Sequence, residues 1–277
     1  MIYTLDAMVP VGLEALGAAL NTRFLQEDKP GAVSKGGSVY STWWNGGLRT
    51  MPYFHNILGV LTEITGNPTP MQMPFLADRQ LPDSNLPLPV PGQLWHFRRS
   101  IDYSLTANWA ILDYASRHRE QLLFNIWRMG RNSIERGSRD HWTPSPSALS
   151  PARERARAEA EARGGKWDGE LTVQQRDAWL RQPDRRDPRG YVLPADQDDF
   201  GTAVEFIDAL LSAGVEGQRA ERAVSIGARR YPAGSYVVRA DQAFRPHVLD
   251  MFEPQDHPHD FEYPGGPPIA PYDSAGW

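Results

Sequence analysis

The 277-residue sequence contains no cysteine, which removes disulfides, thiolate metal sites and cysteine nucleophiles together and fits either redox compartment. No apolar run approaches the ~20 residues of a membrane span. The first residues, with Asp6 and no basic stretch, do not resemble a signal peptide. Positive charge is in deficit: 29 Lys and Arg against 34 Asp and Glu give a net charge of −5, which argues against nucleic acid as a partner because phosphate binding needs a basic face. The G-x-S-x-G elbow, the phosphate-cradling G-x-x-x-x-G-K-[ST] and a dinucleotide G-x-G-x-x-G after a strand are all missing. What is present is 40% hydrophobic and 23% charged, a globular composition, with 24 Gly and 24 Pro that predict much loop. The length allows one or two domains, and parts of two are expected.

The most informative stretch is Tyr53 to Thr65, YFHNILGVLTEIT. Ile57, Leu58, Val60, Leu61 and Ile64 crowd Glu63, and the β-branched members predict a buried strand over Gly59 to Thr65. A carboxylate among buried aliphatic groups costs several kcal/mol, roughly, unless a cation, a proton or a metal accompanies it. The alternative is that Glu63 sits at the open end of the strand in water.

Gly37-Ser38, then Trp43-Trp44-Asn45-Gly46-Gly47, then Leu61-Thr62-Glu63 resemble the last part of the catalytic domain of zinc carboxypeptidases, the carboxypeptidase A-like family. Two later segments, SYVVRADQAFRPHVLDMFEPQ and YPGGPPIAPYDSAGW, resemble the long bacterial members that carry an appended C-terminal domain. The resemblance implies an α/β chain: the C-terminal portion of a carboxypeptidase-like mixed-sheet domain over 1–142, a charged insertion or linker over 143–189, and a small layered α/β domain over 190–277 that stops on an unfinished loop. It implies a metallopeptidase hydrolysing peptide bonds at the C-terminus of a peptide substrate, periplasmic or secreted, with Glu63 activating a zinc-bound water. The family binds zinc through His-x-x-Glu near the start of its domain and a third His further on. Only 62 residues precede Glu63, and His55 is the only histidine among them, so zinc belongs to the complete family enzyme and none is expected on this chain alone. The chain is then either the later portion of a longer enzyme or a non-catalytic, carboxypeptidase-like binding module without zinc.

Other candidates carry less. Tyr40 follows the Gly-Ser pair where the family's substrate-contacting tyrosine precedes it, and reads as a packing residue. Trp43 and Trp44 read as buried indoles pinning a turn. Asn45 and Arg49 have the chemistry to meet a substrate carboxylate, Arg by a bidentate pair, but no motif assigns them that job, and the substrate-binding set stays unassigned. His55, beside aromatics, reads as structural. His257-Pro-His259-Asp260-Phe261-Glu262 holds His-x-His and a formal His-x-x-Glu suited to zinc, yet its proline-rich setting reads as a surface loop.

Apolar periodicity predicts a helix over Val9 to Arg23 and a long one over Ser100 to Ile134, capped by Ser100, stopped by Gly137, with Trp109, Tyr114, Phe124 and Trp127 in the core. Between them, Leu76 to Pro91 predicts a long surface loop. An exposed helix is expected in the first half of Pro151 to Arg189, followed by strands at Tyr191 to Leu193, Val224 to Ile226 and Tyr236 to Val238 and helices over Gly201 to Gly214 and Gln242 to Phe252.

Overall fold

The computed structural model describes residues 3–33, 45–254, 261–263 and 265–268. They form an α/β protein of eight α-helices and small sheets in which, among the described residues, every strand pair is antiparallel. The described sheets therefore contain no mixed pairing of the kind expected. The chain divides into two compact units.

One unit takes residues 7–53 and 57–127. Helix α1 (Met8–Gln26) buries Val9, Leu16 and Leu20 on one face, as its spacing predicts. Helix α2 (Met51–Phe54) is a single turn that begins in this unit. Strands β1 (Met71–Met73) and β2 (Gln93–Trp95) pair Met71 with Trp95 and Met73 with Gln93, and the chain between them is mostly exposed, as expected of Leu76 to Pro91. Helix α3 (Phe97–Arg117) packs on α1 through Leu16, Leu20, Ala107 and Ala110, with Phe24, Ile111 and Tyr114 around them. The small Ala107 and Ala110 let the two helices approach closely. Their ends are tied by a polar knot: Lys29 donates to the Asp102 carbonyl (3.0 Å) and to Glu27 (2.9 Å), and the Thr106 hydroxyl donates to Glu27 (2.6 Å). Thr106, then Arg23 and Lys29, hold the Glu27 carboxyl down at about 2.

Helix α4 (Arg119–Ser138) follows after His118 alone. The predicted long helix is thus two, and it starts three residues before Ser100, which is a buried core residue and not the cap. A second correction concerns its aromatics. Trp109, Phe124 and Trp127 are exposed. For Trp109 the reason is that α1 covers the Tyr103, Thr106, Ala107 and Ala110 side of α3. Phe124 and Trp127 stand on the first half of α4, whose buried residues all lie in its second half.

The other unit takes residues 3–6, 54–56 and 128–268 among those described. The second half of α4 approaches the 240–243 backbone at Gly137, where a Cβ would stand 2.2 Å from the Ala240 carbonyl oxygen. Helix α5 (Pro146–Ala162) starts on Ser145, whose hydroxyl accepts the Ala148 N–H, and buries Ala152 and Ala156. Helix α6 (Val173–Leu180) starts on a Thr172–Gln175 capping box and packs on α5, with the Arg155 guanidinium over the Trp179 ring. Then come β3 (Gly190–Leu193), α7 (Phe200–Ser212), β4 (Gly217–Arg219), the hairpin of β5 (Val224–Ile226) and β6 (Arg229–Tyr231), β7 (Tyr236–Arg239) and α8 (Arg245–Phe252). The central sheet runs β3-β7-β4. Ile207 and Leu210 of α7, Val215, Val238 of β7 and Val248 of α8 make one core under a ring of Tyr191, Phe206, Phe244 and Phe252. This part matches the elements expected from 190 onward, with β4 and β6 in addition.

Candidate active-site segment around Glu63

The strand expected over Gly59 to Thr65 does not form. Among the described residues no strand pairs with it, the segment has no regular structure, and Ile57, Val60 and Leu61 are exposed. Aliphatic, β-branched residues favour a strand only where a neighbour supplies a ladder and a covering face, and neither is present. Glu63 is accordingly exposed to water, as in the second setting read from the sequence, but on an irregular segment and not at the open end of a strand.

The segment is nevertheless held at both ends. The Tyr53 hydroxyl donates to the Gly59 carbonyl at 2.9 Å, and the Ser100 hydroxyl donates to the Thr65 carbonyl at 2.7 Å. Ser100 is itself fixed by the buried Trp95, whose indole N–H donates to it at 2.9 Å. Gly59 lies so close to Arg49 that a Cβ there would stand 2.2 Å from the Arg49 carbonyl oxygen, so only glycine permits the contact. On the other side of that contact, Thr50 and Met51 donate their N–H groups to the Gly47 carbonyl at 3.0 and 2.9 Å, which makes a tight turn. The turn and the segment together bound a surface pocket of about 410 Å³ lined by Gly47, Leu48, Arg49, Pro52, Gly59, Val60 and Leu61. Its lining ends two residues before Glu63. Arg49 is half-buried in this wall and Asn45 is buried, so of these two only Arg49 borders the pocket.

The remaining candidates are elsewhere or outside the description. Tyr40, Trp43, Trp44, His257 and His259 lie outside the described residues. Glu262 is exposed, and its N–H donates to the Pro267 carbonyl at 3.1 Å in a small turn closed by Phe261 and Pro268. His55 is buried, with Nε2 2.8 Å from the Ala213 carbonyl oxygen. A carbonyl only accepts, so Nε2 carries the proton, and the ring packs on Phe244 at 4.6 Å. The structural reading of His55 therefore stands. No group of three or more His, Asp or Glu converges as a metal site among the described residues.

Two buried polar clusters were not foreseen. His247 packs beside His55 with ring centroids 4.8 Å apart and the rings tilted, and its burial, then the neighbouring imidazole, lowers its pKa from 6.5 to about 4. Asp187 accepts from the Thr143 N–H (2.9 Å) and hydroxyl (2.7 Å), from His141 (2.8 Å) and from the buried Arg245 (2.5 Å). Burial alone would raise the Asp187 carboxyl, but the Thr143 and His141 bonds and the Arg245 charge outweigh it and hold it below its ordinary range. A carboxylate with four donors has nothing left for a substrate, and the cluster serves to tie Thr143 and α8 to the start of β3. Its members are 46 and 58 residues from Asp187 in the chain, and no motif signals them in the sequence.

Compared with known protein families, with curated proteins and with solved structures, the chain matches none.

Proposed function

We propose that this chain is the later part of a zinc metallocarboxypeptidase, a hydrolase that removes residues from the C-terminus of peptides, with Glu63 as its general base. The observation that carries the reading is the placement of Glu63: a water-accessible carboxylate on a segment anchored at Gly59 and Thr65, just beyond a pocket bordered by Arg49. Peptide hydrolysis needs a group that takes a proton from the attacking water and returns it to the leaving amine, and a carboxylate placed within reach of that water can make both transfers. The ordered Gly-Ser, Trp-Trp-Asn-Gly-Gly and Leu-Thr-Glu segments support the same assignment. On this reading the first unit contributes to a carboxypeptidase-like domain, the sheet of β3, β7 and β4 belongs to the appended α/β domain, and the enzyme is periplasmic or secreted.

The described residues do not fit a zinc site. His55 is buried with Nε2 committed to a backbone carbonyl, and no ligand set converges elsewhere among them. In this reading the ligands come from outside the described residues, and the chemistry assigned to this chain is the proton transfer by Glu63. Glu63→Gln keeps the side-chain size and removes the proton acceptor, so turnover of the zinc-loaded enzyme should fall by roughly 100-fold or more. Unchanged turnover would refute the assignment of Glu63 as the general base.

A further inference from the structure

Helix α3 wears its apolar side outward. Steps of 100° place Phe97, Ile101, Leu105, Trp109 and Leu112 within one sector of about 120°, and all five are exposed, Trp109 and Leu112 at 60%. The opposite side, turned to α1, is the Ser, Thr, Tyr and Ala face. The first half of α4 adds exposed Leu123, Phe124, Ile126 and Trp127 within the same unit. Aromatic side chains bury 150–250 Å² when covered, so the five half-exposed side chains of the α3 stripe display on the order of 500 Å². That is the size of a patch that is often functional on a monomer and more than half of the ~800 Å² each partner contributes to a standard interface.

We infer that this stripe is the contact surface for a second copy of the chain, two α3 helices pairing antiparallel about a two-fold axis through Leu105. The stripe is self-complementary in that arrangement. Ile101 comes level with Trp109 of the second copy, large against medium, and Phe97 comes level with the Leu112–Asp113 turn. On one flank Arg98 meets Asp113 of the second copy. On the other, Asn108 meets Ser104, a pair of exposed hydrogen-bonding groups. The helix end gains as well. The first turn of α3 holds Arg98 and Arg99 and no acid, which opposes the helix dipole, and an antiparallel partner brings acidic Asp113 to that end.

The flanks also argue against a lipid or nucleic-acid occupant. Arg98 pairs with Asp102 at 2.9 Å and Arg117 with Asp113 at 2.8 Å, which leaves a surplus of only two among the five Arg and three acids of residues 97–128, short of the dense basic face that anchors amphipathic helices to anionic membranes. A symmetric two-fold contact is the commonest form of self-association.

The absence of cysteine makes the test clean. Leu105→Cys places one thiol per chain on the proposed axis, within disulfide reach of its counterpart, whereas Ser84→Cys sits on an exposed loop outside α3 and α4. Under mild oxidation Leu105→Cys should convert to a covalent dimer and Ser84→Cys should not. In sedimentation, Trp109→Asp should raise the dimer dissociation constant at least tenfold, and Arg98→Asp and Asp113→Arg should each weaken the dimer while the double variant recovers it. A protein that sediments as a monomer at micromolar concentration, equal cross-linking of the two cysteine variants, or a charge-reversed pair that does not recover would each overturn the inference.

Discussion

Helices α3 and α7 bury opposite kinds of face. In α7 the apolar Ile207 and Leu210 point into the core beside Val238 and Val248, and the polar side meets water. In α3 the buried side is Ser, Thr and Ala, and the Ile, Leu and Trp side is open. Burial of apolar surface is the main favourable term in folding, so a helix that meets water with its most apolar side has that surface in reserve for another body. The unit around β3, β7 and β4 thus turns the apolar side of its helix α7 onto its own core, and the unit around α1 and α3 leaves the apolar side of α3 open.

The largest expected effect breaks this comparison directly. Leu210→Ala should cost about 2–5 kcal/mol of stability, whereas Leu112→Ala, in protein dilute enough to be monomeric, should stay within about 0.5 kcal/mol. Urea denaturation of the two variants decides it, and equal losses would mean that the outer face of α3 is packed within the monomer.

Acid should separate the units next. His247 has a folded pKa of about 4 against 6.5, so the unfolded chain binds the proton first as pH falls. Its contribution is intact above pH 6.5 and drains between 6.5 and about 4, by about 3 kcal/mol. Glu27 has its carboxyl lowered from 4.5 to about 2, so its contribution is intact above pH 4.5 and is lost as pH falls toward 2. Hydrogen exchange across that range should show protection around α8 weakening before protection around the α1–α3 knot, and His247→Phe should flatten the first phase. Simultaneous loss in both regions would contradict the two separate causes.

The smallest effect is steric. Gly137→Ala forces a methyl against the Ala240 carbonyl and should cost about 1–3 kcal/mol, read as a lowered urea midpoint with an unchanged slope. An unaffected midpoint would mean that α4 and the 240–243 backbone separate readily.

The legible parts of the fold are those where local pattern and tertiary burial agree. Val9, Leu16 and Leu20 gave α1 its face, and Tyr191–Leu193, Val224–Ile226 and Tyr236–Val238 marked three strands because β-branched and aromatic residues there do line a sheet. Reading failed where apolar pattern was equated with burial. Gly59 to Thr65 has strand composition without a pairing partner, and Trp109, Phe124 and Trp127 have core composition on an open face. The strands β1, β2, β4 and β6 are three residues each, as β5 is, but Met-Gln-Met, Gln-Leu-Trp, Gly-Gln-Arg and Arg-Arg-Tyr lack the β-branched residues that mark Val224–Ile226. The Asp187 cluster joins Thr143, His141 and Arg245 across long stretches of chain, a proximity that only the folded structure creates. Glu63 itself was legible as a candidate by its neighbours in sequence, while its exposure on an irregular segment and the nearby pocket at the Gly59–Arg49 contact were not.

The central claim rests on one carboxylate, and a pair of substitutions tests it most directly. Release of the C-terminal residue from a peptide by the zinc-loaded enzyme would be compared for Glu63→Gln and for Glu262→Gln, the exposed carboxylate of the 261–268 turn. The account predicts a fall of roughly 100-fold or more in turnover for Glu63→Gln with KM retained, and no change for Glu262→Gln. Full turnover in Glu63→Gln, or a loss confined to Glu262→Gln, would contradict it.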